Sequence, residues 1–150
     1  MLKDIIYYIL KEHWKLPNAR VTKLVFLSDW KACLDYWSQI TNIDWYFDNY
    51  WPFVRNVENE INLNTELFSM KEEYNWFWTK KKMFSAKSWY NLQITGSEKK
   101  VIDYVISITK ELDFNNFIKL IYSTYPIYKS RKFTFLNLVE LADEYKKIDF

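Results

Sequence analysis

The stretch from Val21 to Val54, VTKLVFLSDWKACLDYWSQITNIDWYFDNYWPFV, constrains the architecture of this chain more than any other. Val21, Leu24, Val25, Ser28 and Ala32 fall on one stripe of a helix, and Leu27, Trp30, Leu34 and Trp37 on a second. A helix with two apolar stripes packs on more than one side, so this one is expected at the centre of a mainly helical fold. A short polar turn follows, then an aromatic segment, with residues 43–48 read as a short strand and Trp51-Pro52-Phe53 as a corner.

On its N-terminal side, Ile5, Ile6, Ile9, Leu10 and His13 take helical spacing over residues 2–14. Leu16-Pro17 stops that helix, and Asn18 is placed to cap the next. On the C-terminal side, Phe53 to about Asn64 reads as another helix. The pattern then changes to period two. Tyr74, Trp76 and Trp78 alternate with Asn75, Phe77 and Thr79, and Tyr90, Leu92 and Ile94 alternate with polar neighbours. Aromatic alternation predicts two or three short antiparallel strands, with Thr79 to Lys82 as their turn. Helices resume at Gly96-Ser97, capped by Ser97, with Val101, Ile102, Val105, Ile106 and Leu112 on the buried face. Another carries Phe114, Phe117, Ile118, Ile121 and Tyr122 and stops before Pro126, and a last one, capped by Thr134, carries Phe135, Leu138, Val139, Ala142 and Tyr145. The expected fold class is therefore mainly α with a small antiparallel β-sheet (α+β), a single helical domain over residues 1–150 with a two- or three-stranded β insertion.

Bulk composition agrees. A chain of 18.5 kDa exposes roughly 8,000 Å² folded against about 27,000 Å² unfolded, enough for a core without staples. Apolar residues make up 49% and charged residues 27%, a globular balance. The 21 basic and 19 acidic side chains leave +2, which argues against nucleic acid as a partner. The apolar run near the N-terminus is too short and too charged to span a membrane, so a cytoplasmic location is expected.

The vocabulary of catalysis is thin. A single Cys and a single His cannot build a Cys/His zinc site, and Gly96, the only glycine, cannot build a phosphate loop. Cys33 in an apolar helix reads as an inert small hydrophobe, and His13 as a satisfied, partly buried imidazole. Asp44 and Asp48, four apart, read as solubilising charge, while Glu72 and Glu73 point to opposite faces of a strand. No enzyme, cofactor or metal is expected. Binding is the better-supported class: Trp and Tyr are favoured interface anchors, and this chain has 8 and 12 of them. One candidate surface is Trp45, Tyr46, Tyr50, Trp51 and Phe53, rimmed by Asp44 and Asp48. A second is Trp76 and Trp78 with Lys80, Lys81 and Lys82, where basic and aromatic residues interleave. Carboxylates outnumber cations between residues 41 and 66, so an acidic side facing a basic side is expected, suited to a charged protein partner.

The run Lys23-Leu-Val-Phe-Leu-Ser-Asp-Trp30, followed by Ser38-Gln39-Ile40-Thr41, an aromatic segment, a corner at Pro52 and Ser123-Thr124-Tyr125-Pro126, resembles the Panacea (SocA-like, DUF4065) domain of bacterial and phage antitoxins, over about residues 3–146. The family step before the proline is often glycine, where this chain has Trp51. The resemblance implies a non-enzymatic antitoxin of a type II pair. It would bind and mask a cognate protein toxin encoded nearby, such as a small-alarmone-synthetase-like or other translation-inhibiting enzyme. It also implies an alternative, an adaptor that delivers its toxin to a protease. A nucleic-acid-binding module using the basic aromatic strands is a third reading, from the residues alone.

Overall fold

The computed structural model describes residues 1–49, 51–87 and 89–148. It is α+β, as the residue patterns predict, and it divides into two compact units. The first comprises Met1–Thr22 and Arg55–Ile94, the second Lys23–Val54 and Thr95–Phe150.

In the first unit, α1 (Leu2–Lys11) is buried along every residue from Asp4 to Leu10. It packs on α3 (Asn56–Leu63) and on a three-stranded antiparallel sheet ordered β1 (Leu16–Pro17), β4 (Lys80–Ala86), β3 (Phe68–Tyr74). Helix α1 ends at Lys11, earlier than Pro17 alone demands, because Leu16 and Pro17 pair with Phe84 and Met83 of β4. A proline is acceptable in a two-residue strand at the sheet's edge.

The sheet corrects the strand boundaries. The turn is Asn75–Thr79, not Thr79–Lys82, and the lysine run lies inside β4. Cross-strand charge explains it: Glu72 lies opposite Lys82 and Glu73 opposite Lys81, a register that opposite charges favour. Of the alternating residues Tyr74–Thr79 only Tyr74 lies in a strand, at the end of β3; the other five form the turn. Tyr90–Ile94 is not a strand either. The backbone N–H of Gln93 donates to the buried carboxylate of Asp4 at 3.1 Å, and Tyr90 packs edge-on against Tyr7 with ring centroids 5.4 Å apart.

Helix α2 (Asn18–Tyr36) begins in the first unit and runs into the second. All ten residues from Val21 to Trp30 are buried, the outcome its two apolar stripes predict. It ends at Trp37, whose φ of 64° is the left-handed geometry that a helix C-terminus usually gives to glycine. In the second unit the strand expected over 43–48 is β2 (Tyr46–Phe47), paired antiparallel with β5 (Thr134–Phe135). Helices α4 (Gly96–Thr109), α5 (Phe114–Ser123), α6 (Tyr125–Lys129) and α7 (Leu138–Lys146) complete it.

Two caps differ from expectation. Thr95, not Ser97, caps α4: its side chain accepts from the Glu98 N–H while Glu98 accepts from the Thr95 N–H, a reciprocal capping box. Asn137, not Thr134, caps α7, because Thr134 and Phe135 are spent in β5.

Candidate functional site

Asp29, past the midpoint of α2, organises a buried polar node in the second unit. Asp29 is fully buried and accepts five hydrogen bonds. These come from the backbone N–H of Ile40 (2.9 Å) and Thr41 (3.0 Å), the Thr41 hydroxyl (2.5 Å), the Trp45 indole N–H (2.8 Å) and the Gln39 amide (3.3 Å). Burial pushes its carboxyl up to about 6, against the pull of those donors. The node pins the Ser38–Thr41 turn to α2.

Trp45 belongs to this node. It is fully buried, edge-on to Phe26 with centroids 5.3 Å apart, so its place on an exposed binding surface is corrected: it is core. The rest of the first candidate surface is dispersed. Asp44 is exposed; Tyr46, Asp48, Trp51 and Phe53 are half-buried; Tyr50 lies outside the described residues. Tyr46 leans on exposed Phe135, and Trp51 leans on half-exposed Phe114.

The second candidate surface, in the first unit, stands out. At the tip of the β3–β4 hairpin, Trp76, Phe77 and Trp78 are 96%, 86% and 82% exposed, with Tyr74 beside them. Their backbone is nevertheless fixed. The Asn75 side-chain oxygen accepts from the N–H groups of Phe77 and Thr79, both at 2.9 Å, and the Asn75 backbone bonds to Thr79 and Trp78. Trp78 holds φ at 58°, a left-handed conformation that costs a bulky residue on the order of 1–2 kcal/mol. Tyr74, Asn75, Trp76 and Trp78 line an open, shallow depression at the tip. Phe77 was missed as a site residue because period-two reasoning assigned it to the opposite face of a strand; in a turn, neighbours share one surface.

The lysines beneath the tip are largely neutralised. Lys80 pairs with Glu72 at 2.7 Å and Lys82 with Glu58 at 3.0 Å, while Lys81 forms no ion pair among the described residues. Lys15 pairs with Glu73 at 2.5 Å. Because Glu58 comes from the acidic stretch, the expected split into an acidic and a basic side does not hold in this unit: the charges interleave.

Catalytic features do not assemble among the described residues. No cluster of His, Cys, Asp and Glu could hold a metal ion. His13 is half-buried and donates from Nδ1 to the Ile9 carbonyl at 2.6 Å. The Cys33 thiol is buried and pushed up to about 12, first by burial and then by the charge of Asp29, which makes it a poor nucleophile. No helix is long and apolar enough to cross a membrane.

One further charged residue escaped the reading of α2 as two apolar stripes. Lys23 is fully buried, and its Nζ lies 4.2 Å from the centroid of the Trp51 ring.

The family model for the antitoxin SocA-like Panacea domain matches residues 21–126, and the chain belongs to that family. The match is narrower than the 3–146 expected: it starts inside α2 and ends at the first turn of α6, leaving out α1 and α7. No curated protein and no solved structure matches the chain.

Proposed function

We propose that this chain is the antitoxin of a type II pair and neutralises a cognate toxin protein by direct binding, with the tip of the β3–β4 hairpin as its principal anchor. The observation that carries this reading is the exposure of Trp76, Phe77 and Trp78 on a turn that is rigidly closed by Asn75. Three large rings in water contribute nothing to folding, and they form an apolar surface of the kind that marks an interaction site. A fixed turn lowers the ordering cost of binding, and tryptophan is the side chain most often found to dominate interface energetics. Family membership supplies the class of partner, a protein toxin. The hairpin supplies the means: aromatic rings entering an apolar cleft, with Lys81 free to meet an acidic rim.

The half-buried Tyr46, Asp48, Trp51 and Phe53 stand, with exposed Asp44, as a subsidiary surface on this reading. Nucleic acid is less favoured at the hairpin than the residue types suggested, because Lys80 and Lys82 are already paired with carboxylates.

The test is co-expression with the product of the adjacent gene, with and without the double substitution W76A/W78A. Rescue of growth and a co-purifying complex with the parent chain, both lost in the folded double variant, support direct masking through the hairpin. Rescue without a complex, accompanied by a shortened toxin half-life, overturns masking in favour of proteolytic delivery. A complex that survives the double substitution moves the anchor elsewhere.

A further inference from the structure

Lys23 presents a problem that the antitoxin reading does not touch. Among the described residues its Nζ is the only buried side-chain nitrogen or oxygen without a hydrogen-bond partner. An ammonium carries three donors and is strongly hydrated in water, so burying it unpaired is among the costliest choices a core can make. No internal counter-ion is at hand on its own helix. Asp29 is saturated by its five donors, and Asp35 pairs with Lys31 at 3.2 Å. What covers the ammonium is the face of the Trp51 indole, 4.2 Å from centroid to Nζ. A cation–π contact recovers only part of the lost hydration.

The cover is a surface ring. Trp51 is half-buried and rests edge-on against Phe114, with centroids 6.4 Å apart, planes at 88°, and Phe114 itself 48% exposed. The backbone on either side of the ring is anchored: the Asp48 N–H donates to the Trp51 carbonyl at 3.1 Å, Pro52 bridges to Phe47, and the Phe53 N–H donates to Tyr46 at 2.9 Å. A turn of the indole about its side-chain torsions would thus leave these backbone bonds in place.

We propose that Lys23 is a binding site for an oxyanion, with Trp51 as its lid: a carboxylate or phosphate oxygen takes the position over Nζ that the indole face now holds, and the ring turns outward to admit it. A lysine ammonium suits such a ligand because it offers a compact charge with rotatable donors. The energetic logic is differential. The free protein holds an amine with no hydrogen-bond partner, and the liganded protein holds a charge-assisted hydrogen bond in a site of low dielectric, where such bonds are strongest. Burial has lowered the amine's pKa to about 7, so at neutral pH it is divided between its two forms, and an arriving anion draws it to the ammonium. The site lies in the second unit and the hairpin in the first, so this inference stands or falls apart from the toxin-docking reading.

The experiment is a titration of the full chain, labelled with ¹³C and ¹⁵N at lysine and ¹⁵N at tryptophan, with sodium phosphate and separately with sodium acetate, at constant ionic strength set by chloride. The Lys23 Cε–Nζ signal is identified by its disappearance in K23M, or in K23Q if the methionine variant fails to fold. The Trp51 indole signal is identified in W51F. The expected result is a saturable shift of both signals on one binding curve. A response to phosphate alone assigns a phosphate group, and a response to acetate as well admits a carboxylate. The anion should also raise the melting temperature of the parent while that of the Lys23 variant moves at least about tenfold less. Stationary signals in both titrations overturn the site, as does a melting shift that persists undiminished in the Lys23 variant. A Lys23 shift with Trp51 unmoved overturns the lid.

Discussion

Replacing Asp29 with asparagine tests whether the polar node, and not apolar packing alone, holds the second unit's frame. The change keeps shape and one oxygen. That oxygen continues to accept from the N–H groups of Ile40 and Thr41, now at 2.9 and 3.0 Å. The new amide group then faces the Trp45 indole N–H, 2.8 Å from the present oxygen, and the Gln39 amide, 3.3 Å from it, which keeps its bonds to the Thr41 and Ile43 carbonyls. The Thr41 hydroxyl can turn to accept, but an indole N–H can only donate. One buried donor is therefore orphaned, at about 1–3 kcal/mol, a cost fully expressed near pH 4 and offset near neutral pH by relief of the buried charge that raises the Asp29 carboxyl. Against a typical stability of about 5–15 kcal/mol this is a large loss, readable as a lowered urea midpoint with an unchanged slope. The penalty should depend on pH. The folded-state pKa of Asp29 is raised, from 3.8 to about 6, so between those values the folded chain holds a proton that the unfolded chain has released. The parent thus gains stability as pH falls through that window, by up to about 3 kcal/mol at roughly 1.4 kcal/mol per unit, and asparagine cannot follow. The gap between parent and D29N widens from pH 6 towards pH 4. In a W45F background, where the orphaned donor is gone, D29N should cost at least about 1 kcal/mol less. A D29N variant within about 0.5 kcal/mol of the parent, at both ends of the window, refutes the node as a structural keystone.

Other expectations follow from particular side chains. Lys23 has a folded-state pKa lowered from 10.5 to about 7, so the unfolded chain binds the extra proton between those values and the parent gains stability as pH rises through them. K23M should melt above the parent at pH 7, the difference shrinking towards pH 10, as followed by thermal melts in matched buffers. W76A/W78A should leave stability within about 0.5 kcal/mol while abolishing toxin capture, since both rings are exposed; a variant that loses its cooperative melt would make them structural. W78G removes the left-handed penalty at φ 58° and should stabilise the hairpin by about 1 kcal/mol in urea melts, yet weaken partner binding. T95A breaks the capping box and should cost about 1 kcal/mol by the same measure.

Much of the helical frame was legible because helical periodicity reports burial directly. The two stripes on α2 anticipated a helix packed on more than one side, which holds from Val21 to Trp30 but not at exposed Trp37, and Val101, Ile102, Val105 and Ile106 lie on the buried face of α4 as their spacing required. The hairpin was legible in existence but not in register. Alternating aromatic and polar residues also suit a turn, as at Asn75–Thr79; the register instead pairs Phe68–Tyr74 with Lys80–Ala86 and sets Glu72 and Glu73 opposite Lys82 and Lys81, a long-range pairing that spacing along one strand does not reveal. Trp45 was misplaced for a related reason. Its neighbours Asp44 and Tyr46 differ from it in exposure, and nothing local says that its indole N–H is claimed by Asp29, sixteen positions away. Asp29 and Lys23 were overlooked because a charged residue on an apolar helix is ordinarily assigned to solvent.

On the proposed reading, the residues of the hairpin tip that would dock a toxin are not among those that make the chain recognisable. The Lys23–Trp30 run and the Ser38–Thr41 turn, which carry the family resemblance, include the buried Asp29 and the turn residues Ile40 and Thr41 that it holds in place. Changing them alters the fold before it alters any surface. The hairpin tip is the reverse case. Trp76 and Phe77 touch water almost completely, and the turn beneath them is closed by the Asn75 side chain and by backbone bonds, none of which depends on what those rings are. On the proposed reading, a partner can be exchanged by substitutions at the tip without cost to the frame. One fold could thus meet unrelated toxins through a few exposed side chains. It follows that grafting the segment Asn75–Thr79 from another member of the family should transfer part of that member's toxin preference while the urea midpoint moves little. A graft that folds but leaves preference unchanged would place recognition on the frame itself, and the exposed rings would need another explanation.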